Sequence, residues 1–391
     1  MALLIPTLDQ LGGAERQVML LAQGLAQRGW RVSVISLSGD GGDRATELSA
    51  VGVAFLSLKM RKGWADLRGW KTLRNWIRAE KPDVLHAHLP HAVWMARWVR
   101  LFVPVRVVVD TIHTSATGPL SRQRGYRWSN WLSDQSTAVS SDVSRAYCEA
   151  GILDEARVTV VPNAIDTAQW IADSQMRAKT RRDHGIEDKF LWLAVGRLES
   201  VKDYATLLYA FSSLPYEPWL AIAGDGSLRA GLERLSEQLG IYTRVTFLGF
   251  VKNPVQWMQT ADAYVLTSLW EGLPMSVLEA GACALPVVAT DVAGTRELIS
   301  VGHTGLLAEA GDVKAVEAAM KRVMDMTPGE HASMGAYARK QVSELYAMEP
   351  VLDKWEQLYE SLLERNPEPR RKANATIALL LGTGETAQTA Q

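Results

Sequence analysis

Two kinds of apolar pattern alternate along this chain. Runs that are apolar almost throughout occur at ALLIP (2–6), RVSVISL (31–37), VAFLSL (53–58), DVLHAH (83–88), VRVVVDTIH (105–113), TAVS (137–140) and VTVVPN (158–163). Between them lie amphipathic stretches such as AERQVMLLAQGLAQRG, where apolar residues recur at helical spacing. Strands with no polar face need cover on both sides, which right-handed crossover helices supply, so the pattern predicts a doubly wound parallel sheet. After a polar stretch, DSQMRAKTRRDHGIEDK (173–189), the pattern restarts with FLWLAVG (190–196), WLAIAG (219–224), VTFLGF (245–250), AYVLTS (263–268) and PVVAT (286–290). The segment 349–365 carries Val351, Leu352, Trp355, Leu358, Tyr359, Leu362 and Leu363 on one stripe, the mark of a helix that packs on something. The expected organisation is α/β: a Rossmann-like N-terminal domain over 1–172 and a second Rossmann-like domain over 173–348. A terminal helix over 349–365 and a loosely ordered tail over 366–391 follow. Two such domains face each other across a cleft at the carboxyl ends of their strands, where ligands bind.

Composition narrows the class. Cys148 and Cys283 are too few for a disulfide framework and show no metal-ligand spacing, so both read as reduced core thiols of a cytoplasmic protein. No basic leader precedes the first strand, which begins so abruptly that a few residues are expected before it. No stretch approaches the roughly 18 apolar residues that span a bilayer. Residues 1–160 hold 20 Lys/Arg against 14 Asp/Glu, whereas the remainder holds 22 against 29, which points to an anionic partner meeting the first half.

Several residues carry candidate chemistry. Gly12-Gly13 follows the first strand and opens a helix, where glycine admits a ligand to the backbone and the helix N-terminus favours an anion. The spacing is not that of a dinucleotide fingerprint, and the pair reads equally as a tight turn or a phosphate loop. His113 ends a strand at the cleft. His86, His88 and His91 have metal-like spacing, but no carboxylate completes a ligand set, and no metal is expected. Arg197 and Lys202 lie five residues apart after the first strand of the second domain, which suits a diphosphate or a solvated turn. The strongest signal is EGLPMSVLEAGACALPVVATD (271–291). Glu271 precedes a Gly272-Leu273-Pro274 loop with Pro274 suited to a first helical turn; Ser276 and Val277 sit at the helix N-terminus. Glu279 lies further along on an otherwise apolar helix, where a carboxylate needs a partner or a ligand.

Together with GGAER (12–16), VVPNAID (160–166), VGRLESVKD (195–203), AGDGSL (223–228), LGF (248–250) and AGTRELI (293–299), these residues resemble glycosyltransferase family four, retaining transferases with the two-domain GT-B fold. The resemblance spans about residues 2–365, and it implies an acceptor-binding domain over 1–172, a nucleotide-sugar-binding domain over 173–348 and a helix over 349–365 that crosses back onto the N-terminal domain. It implies a nucleoside-diphosphate-sugar donor (UDP- or GDP-linked), no cofactor and no metal. It implies that Gly12 and Gly13 lie against the donor phosphates and sugar, and that His113 supports the transition state at the sugar. Arg197 and Lys202 would hold the leaving diphosphate, and Glu271 the sugar hydroxyls with backbone N–H groups of Gly272 and Leu273. Glu279 would bind the ribose, Gly249 and Phe250 would frame the base, and Gly224 and Asp225 would line the cleft nearby. Asn163-Ala164 and Ala293-Gly294 depart from the family's Asn-Gly and Gly-Gly, changes that touch turns rather than charged groups. Other readings of the same fold are a sugar-nucleotide epimerase, which needs no acceptor, and a non-catalytic scaffold that has lost its activity.

Residues 59–131 hold 14 Lys/Arg, 4 Asp/Glu and seven tryptophans: Trp64, Trp70, Trp76, Trp94, Trp98, Trp128 and Trp131. Cations interleaved with indoles suit an anionic membrane interface, and equally core tryptophans with solvated arginines; on the first reading, peripheral membrane contact at the inner face and a lipid-linked or envelope saccharide acceptor are expected. No nucleic-acid motif accompanies the patch, and no nucleic-acid partner is expected.

Overall fold

Among the described residues, thirteen short strands form two sheets, and every pairing within them is parallel. In the computed structural model, residues 1–9, 12–61, 66–215, 217–251 and 254–369 are described. Trp64 and the tail from residue 370 onward lie outside them. The first sheet contains β1 (Ala2–Ile5), β2 (Ser33–Ser36), β3 (Ala54–Ser57), β4 (Val84–His88), β5 (Val107–Ile112), β6 (Gln135–Ala138) and β7 (Val158–Val160), in the order β3-β2-β1-β4-β5-β6-β7. The second contains β8 (Leu191–Val195), β9 (Trp219–Ala223), β10 (Val245–Gly249), β11 (Ala263–Leu266), β12 (Val287–Thr290) and β13 (Gly305–Ala308), in the order β10-β9-β8-β11-β12-β13. This is the doubly wound arrangement that continuous apolar strands demand. The sixth strand of the second sheet, β13, was not among the expected ones. It is a four-residue edge strand after Gly302 and too short for its pattern to be read.

The helix Met348–Arg365 begins one residue before the expected stripe and crosses back to the first domain. Val351, Leu352, Trp355, Tyr359 and Leu362 are buried in the same cluster as Leu3, Ile5, Val18 and Leu25. Gly24 of the first helix, Gly13–Gln27, lets it approach closely, because a Cβ there would lie 2.6 Å from a Leu352 methyl.

The basic, tryptophan-rich segment is not one surface. Arg97 and Arg100, on the helix Pro90–Val99 and its end, are wholly buried. Arg97 forks onto Asp110 at 2.9 and 3.0 Å, and Arg100 reaches Asp134 at 2.6 Å. They neutralise core carboxylates and present no charge to a partner. Trp70, Trp76 and Trp94 pack against the core. Trp128 stands 64% exposed on the helix Leu120–Ser129, its ring 5.1 Å from that of Trp98, with Leu120 and Phe102 also exposed. Arg124 and Arg127 share that helix and are exposed.

Candidate active site

Each sheet has one switch point, between β1 and β4 and between β8 and β11, where the chains leave neighbouring strands in opposite directions and open a crevice. The two crevices meet. A Cβ on Gly272, after β11, would lie 2.1 Å from the carbonyl oxygen of His113, after β5. Only glycine permits this approach of two backbones from different domains.

The loop after β11 is held by its carbonyls. Ser115 donates to the Glu271 oxygen (2.8 Å), Ser140 to that of Gly272 (2.9 Å) and Asn163 to that of Leu273 (2.9 Å), all from the first domain. A trans peptide sets its N–H opposite the preceding carbonyl, so the N–H groups of Gly272 and Leu273 face away from those side chains. The helix Met275–Ala282 then starts with open N–H groups. Pro274 stands just before it as an extended N-cap (φ −69°, ψ 117°), not within the first turn as expected. Ser276 and Val277 lie in that turn, and the Ser276 hydroxyl hydrogen-bonds the buried Tyr264.

Cations frame this helix end. Lys202 Nζ lies 2.5 Å from Glu271 Oε1, which also accepts from Ser268 Oγ at 2.6 Å. Arg197 is exposed at the mouth and makes no ion pair among the described residues. Across the cleft, Gly12 is extended (φ −93°, ψ −174°), so its role is space and not a special dihedral; its N–H donates to Glu15 Oε2 at 3.0 Å. Burial pushes the Glu15 carboxyl up, against the pull of that bond and of Arg197. Gly13 comes within 3.6 Å of Met275, counted from a Cβ built there.

Glu279 is 2% exposed. Burial raises its carboxyl, and Arg16 of the first helix opposes this with an ion pair that crosses the cleft. The Arg16 guanidinium also lies 5.7 Å over the Trp170 ring. Arg16 sits inside the GGAER motif, but its partner, 263 residues away, left no signal in the sequence.

The far rim is built by glycines. Gly224 (φ 152°) donates its N–H to Gly249 O at 2.8 Å, and a Cβ on it would lie 1.9 Å from Gly196 O. Gly249 turns at φ 69°. Asp225 bonds the Gly226 N–H at 2.8 Å and Arg229 at 3.4 Å. Phe250 is 71% exposed, on an open rim and not in an enclosed pocket.

The three histidines of HAHLPH do not converge: His86 and His88 are buried, while His91 is exposed beside Trp94. His88 Nδ1 lies 3.0 Å from Nε2 of His113, a pairing visible only once β4 and β5 are in register. Burial pushes His113 down to about 4 and His88 well below the ordinary imidazole value. Behind them a small cavity runs under the interdomain segment, lined by His88, His113, Asn163, Leu21, Leu352 and Trp355 among others.

The site thus brings Lys202 and Glu271 to the start of the helix Met275–Ala282, with the His113 backbone against Gly272 and Glu279 further along that helix. Two family profiles match this chain: "Glycosyltransferase Family 4" over residues 11–169 and "Glycosyl transferases group 1" over residues 176–341. The N-acetyl-alpha-D-glucosaminyl L-malate synthase of Bacillus anthracis is 29% identical over 73% of this chain and 76% of its own. The UDP-Gal:alpha-D-GlcNAc-diphosphoundecaprenol alpha-1,3-galactosyltransferase of Escherichia coli is 24% identical over 66% of this chain and 71% of its own. The crystal structure of HepE from Anabaena in complex with UDP-glucose superposes with a TM-score of 0.82, covering 92% of this chain and 99% of that one; at 20% identity this is a likeness of fold.

Proposed function

Because the chain belongs to the group 1 glycosyltransferases with the GT-B fold, we propose that it moves a sugar from a UDP- or GDP-sugar to a lipid-linked or envelope saccharide acceptor, with retention at the anomeric carbon. The observation that carries this reading is the Lys202–Glu271 pair at 2.5 Å, with the exposed Arg197 in the same loop, at the open end of the helix Met275–Ala282. Lys202 and Arg197 offset the charge that develops on the leaving diphosphate, and Lys202 is held in place by Glu271 before the reaction starts. Glu271, Gly272 and Leu273 orient the sugar, and Glu279 takes the ribose hydroxyls once Arg16 yields them. The acceptor hydroxyl attacks on the face the diphosphate leaves: the new C1–O bond forms, the C1–phosphate oxygen bond breaks, and the acceptor proton passes to the departing phosphate. Chain cations serve the diphosphate, and both Glu271 and Glu279 are engaged by chain cations, so we assign no metal a part.

A lipid-linked acceptor agrees with the E. coli relative, whose acceptor is an undecaprenol diphosphate sugar. It also agrees with the exposed Trp128 and the cations Arg124 and Arg127, a narrower surface than the whole of 59–131. No described helix is long and apolar enough to cross a membrane, so the contact we propose is peripheral, at the inner face of the cytoplasmic membrane. The test is binding and turnover across UDP-, GDP- and ADP-sugars in EDTA, with Glu271→Ala and Lys202→Ala as controls. One donor turned over without metal and lost in both variants is expected; no binding of any nucleotide sugar overturns the proposal. Flotation on anionic against neutral liposomes, with Trp128→Ala beside the parent, decides the membrane contact.

A further inference from the structure

His86, His88, Thr111 and His113 project from one face of the first sheet, because β4 and β5 pair His86 with Val109 and His88 with Thr111. That face lies under the first helix and the crossover helix. Two separate hydrogen-bond systems share it.

Thr137 Oγ1 lies 3.2 Å from the Asp110 carbonyl and 2.7 Å from Thr111 Oγ1, which in turn is 2.6 Å from His86 Nε2, while His86 Nδ1 lies 2.8 Å from the Tyr359 hydroxyl. Hydroxyls give or take a proton, so this chain satisfies both nitrogens of His86 in either neutral tautomer. Its task is to fasten the crossover helix to the sheet.

Among the described residues the His88–His113 pair shares no hydrogen bond with that chain. Its 3.0 Å bond holds one proton, given by either ring. His88 is 2% exposed, and its Nε2 has no partner among the described residues, although the ring lines the cavity. A proton on that nitrogen would be a buried orphan donor, whereas a bare lone pair there costs less, since orphaned donors are the rarer defect in native interiors. The cheaper arrangement puts His88's proton on Nδ1, within the bond, and His113's proton on its own Nδ1.

We propose that His88 is a positioning residue for the transfer reaction: it donates Nδ1–H to His113 Nε2 and so fixes His113 as a neutral Nδ1–H tautomer that presents one hydrogen-bond donor to the donor substrate. This rests on the transferase reading above for its consequence, but not for its geometry. His113 contacts the substrate through Nδ1 alone, because Nε2 is engaged.

The test reads the protonation of each ring nitrogen by long-range ¹H–¹⁵N correlation in histidine-labelled full-length protein, beside kinetics. In the parent at neutral pH, His113 is expected to be protonated at Nδ1 and bare at Nε2. In His88→Leu the single tautomer is lost, and kcat falls roughly tenfold, the scale of one hydrogen bond, with the donor KM nearly unchanged. In His88→Asn the side-chain amide can donate to the same nitrogen, and both the tautomer and most of kcat return. A purely structural role would lower the melting temperature without this split. A parent His113 protonated at Nε2, or a His88→Leu protein whose His113 spectrum or kcat is unchanged, overturns the proposal. If no donor is turned over by the parent, the transferase reading fails while the parent spectrum still decides the tautomer; should His88→Leu not fold, the parent spectrum and His88→Asn decide it.

Discussion

Arg16 and Glu279 are bonded to each other across the interdomain cleft, one from each domain, although Glu279 is almost completely enclosed. The carboxylate expected to receive the donor's ribose is therefore already held by a chain cation that is itself 31% exposed and able to swing away. Arg16→Ala leaves a buried carboxylate alone. A full burial of both partners would make that loss about 3–5 kcal/mol; with Arg16 partly in water we expect about 1–3 kcal/mol. Thermal unfolding of Arg16→Ala beside Arg16→Ala/Glu279→Gln checks it, since the second change removes the charge and should recover part of the loss. Equal melting temperatures for parent and Arg16→Ala would falsify this account.

Lys202 and Arg197 differ in setting and should differ in effect. Lys202→Ala frees Glu271 from its 2.5 Å partner and removes a diphosphate cation, so turnover should drop roughly 10²–10³-fold. Arg197→Ala removes an exposed cation without an ion pair among the described residues, so turnover should fall while the melting temperature stays within about one degree. A clear loss of stability in Arg197→Ala would mean that its role is structural.

The glycines are not alike. At Gly272 a Cβ would meet backbone, the His113 carbonyl at 2.1 Å, which cannot rotate aside. Gly272→Ala should cost about 1–3 kcal/mol and remove activity. At Gly12 the same atom meets the end of the Glu15 side chain at 2.5 Å, with the backbone already extended. Gly12→Ala should lose at most about 1 kcal/mol, the worth of one cap, while weakening donor binding. Denaturant titration and calorimetric binding on both variants separate the cases; equal stability losses would contradict them.

His86, His88 and His113 are all held neutral by burial, His86 down to about 3 and His113 to about 4. An unfolded chain protonates each near 6.5, so between pH 6.5 and about 4 the unfolded state binds more protons than the folded one. Stability is intact above 6.5 and falls as the pH is lowered through that window, by about 1.4 kcal/mol per pH unit for each histidine. Unfolding at pH 5.5 should take up protons, measurable by calorimetry in buffers of different ionisation enthalpy, and His86→Asn should reduce the uptake. No uptake at pH 5.5 would show that these rings are already charged.

Much of this was legible before any coordinates. Strands apolar on both faces imposed the two parallel sheets, and Glu279 announced a partner because its flanks are apolar. The partner itself was not legible, since Arg16 and Glu279 meet only when two domains dock. Charge counting failed at Arg97 and Arg100 for a related reason: composition treats every cation as solvated, and Asp110 and Asp134 reach them from other elements. The His88–His113 bond depends on strand register, which neither strand encodes alone.

The chain passes between its domains twice, and the two passages run side by side: Ile165 donates its N–H to the Tyr346 carbonyl at 2.8 Å, and Ile165 pairs with Ala347 as a short parallel bridge. Two bodies joined by a pair of parallel tethers at one edge are a door on a narrow butt hinge. Swinging the leaf bends both tethers together and keeps their bond, whereas sliding one leaf along the other shears it. A motion that kept this bond would be a rotation about that edge, and one that broke it a slide.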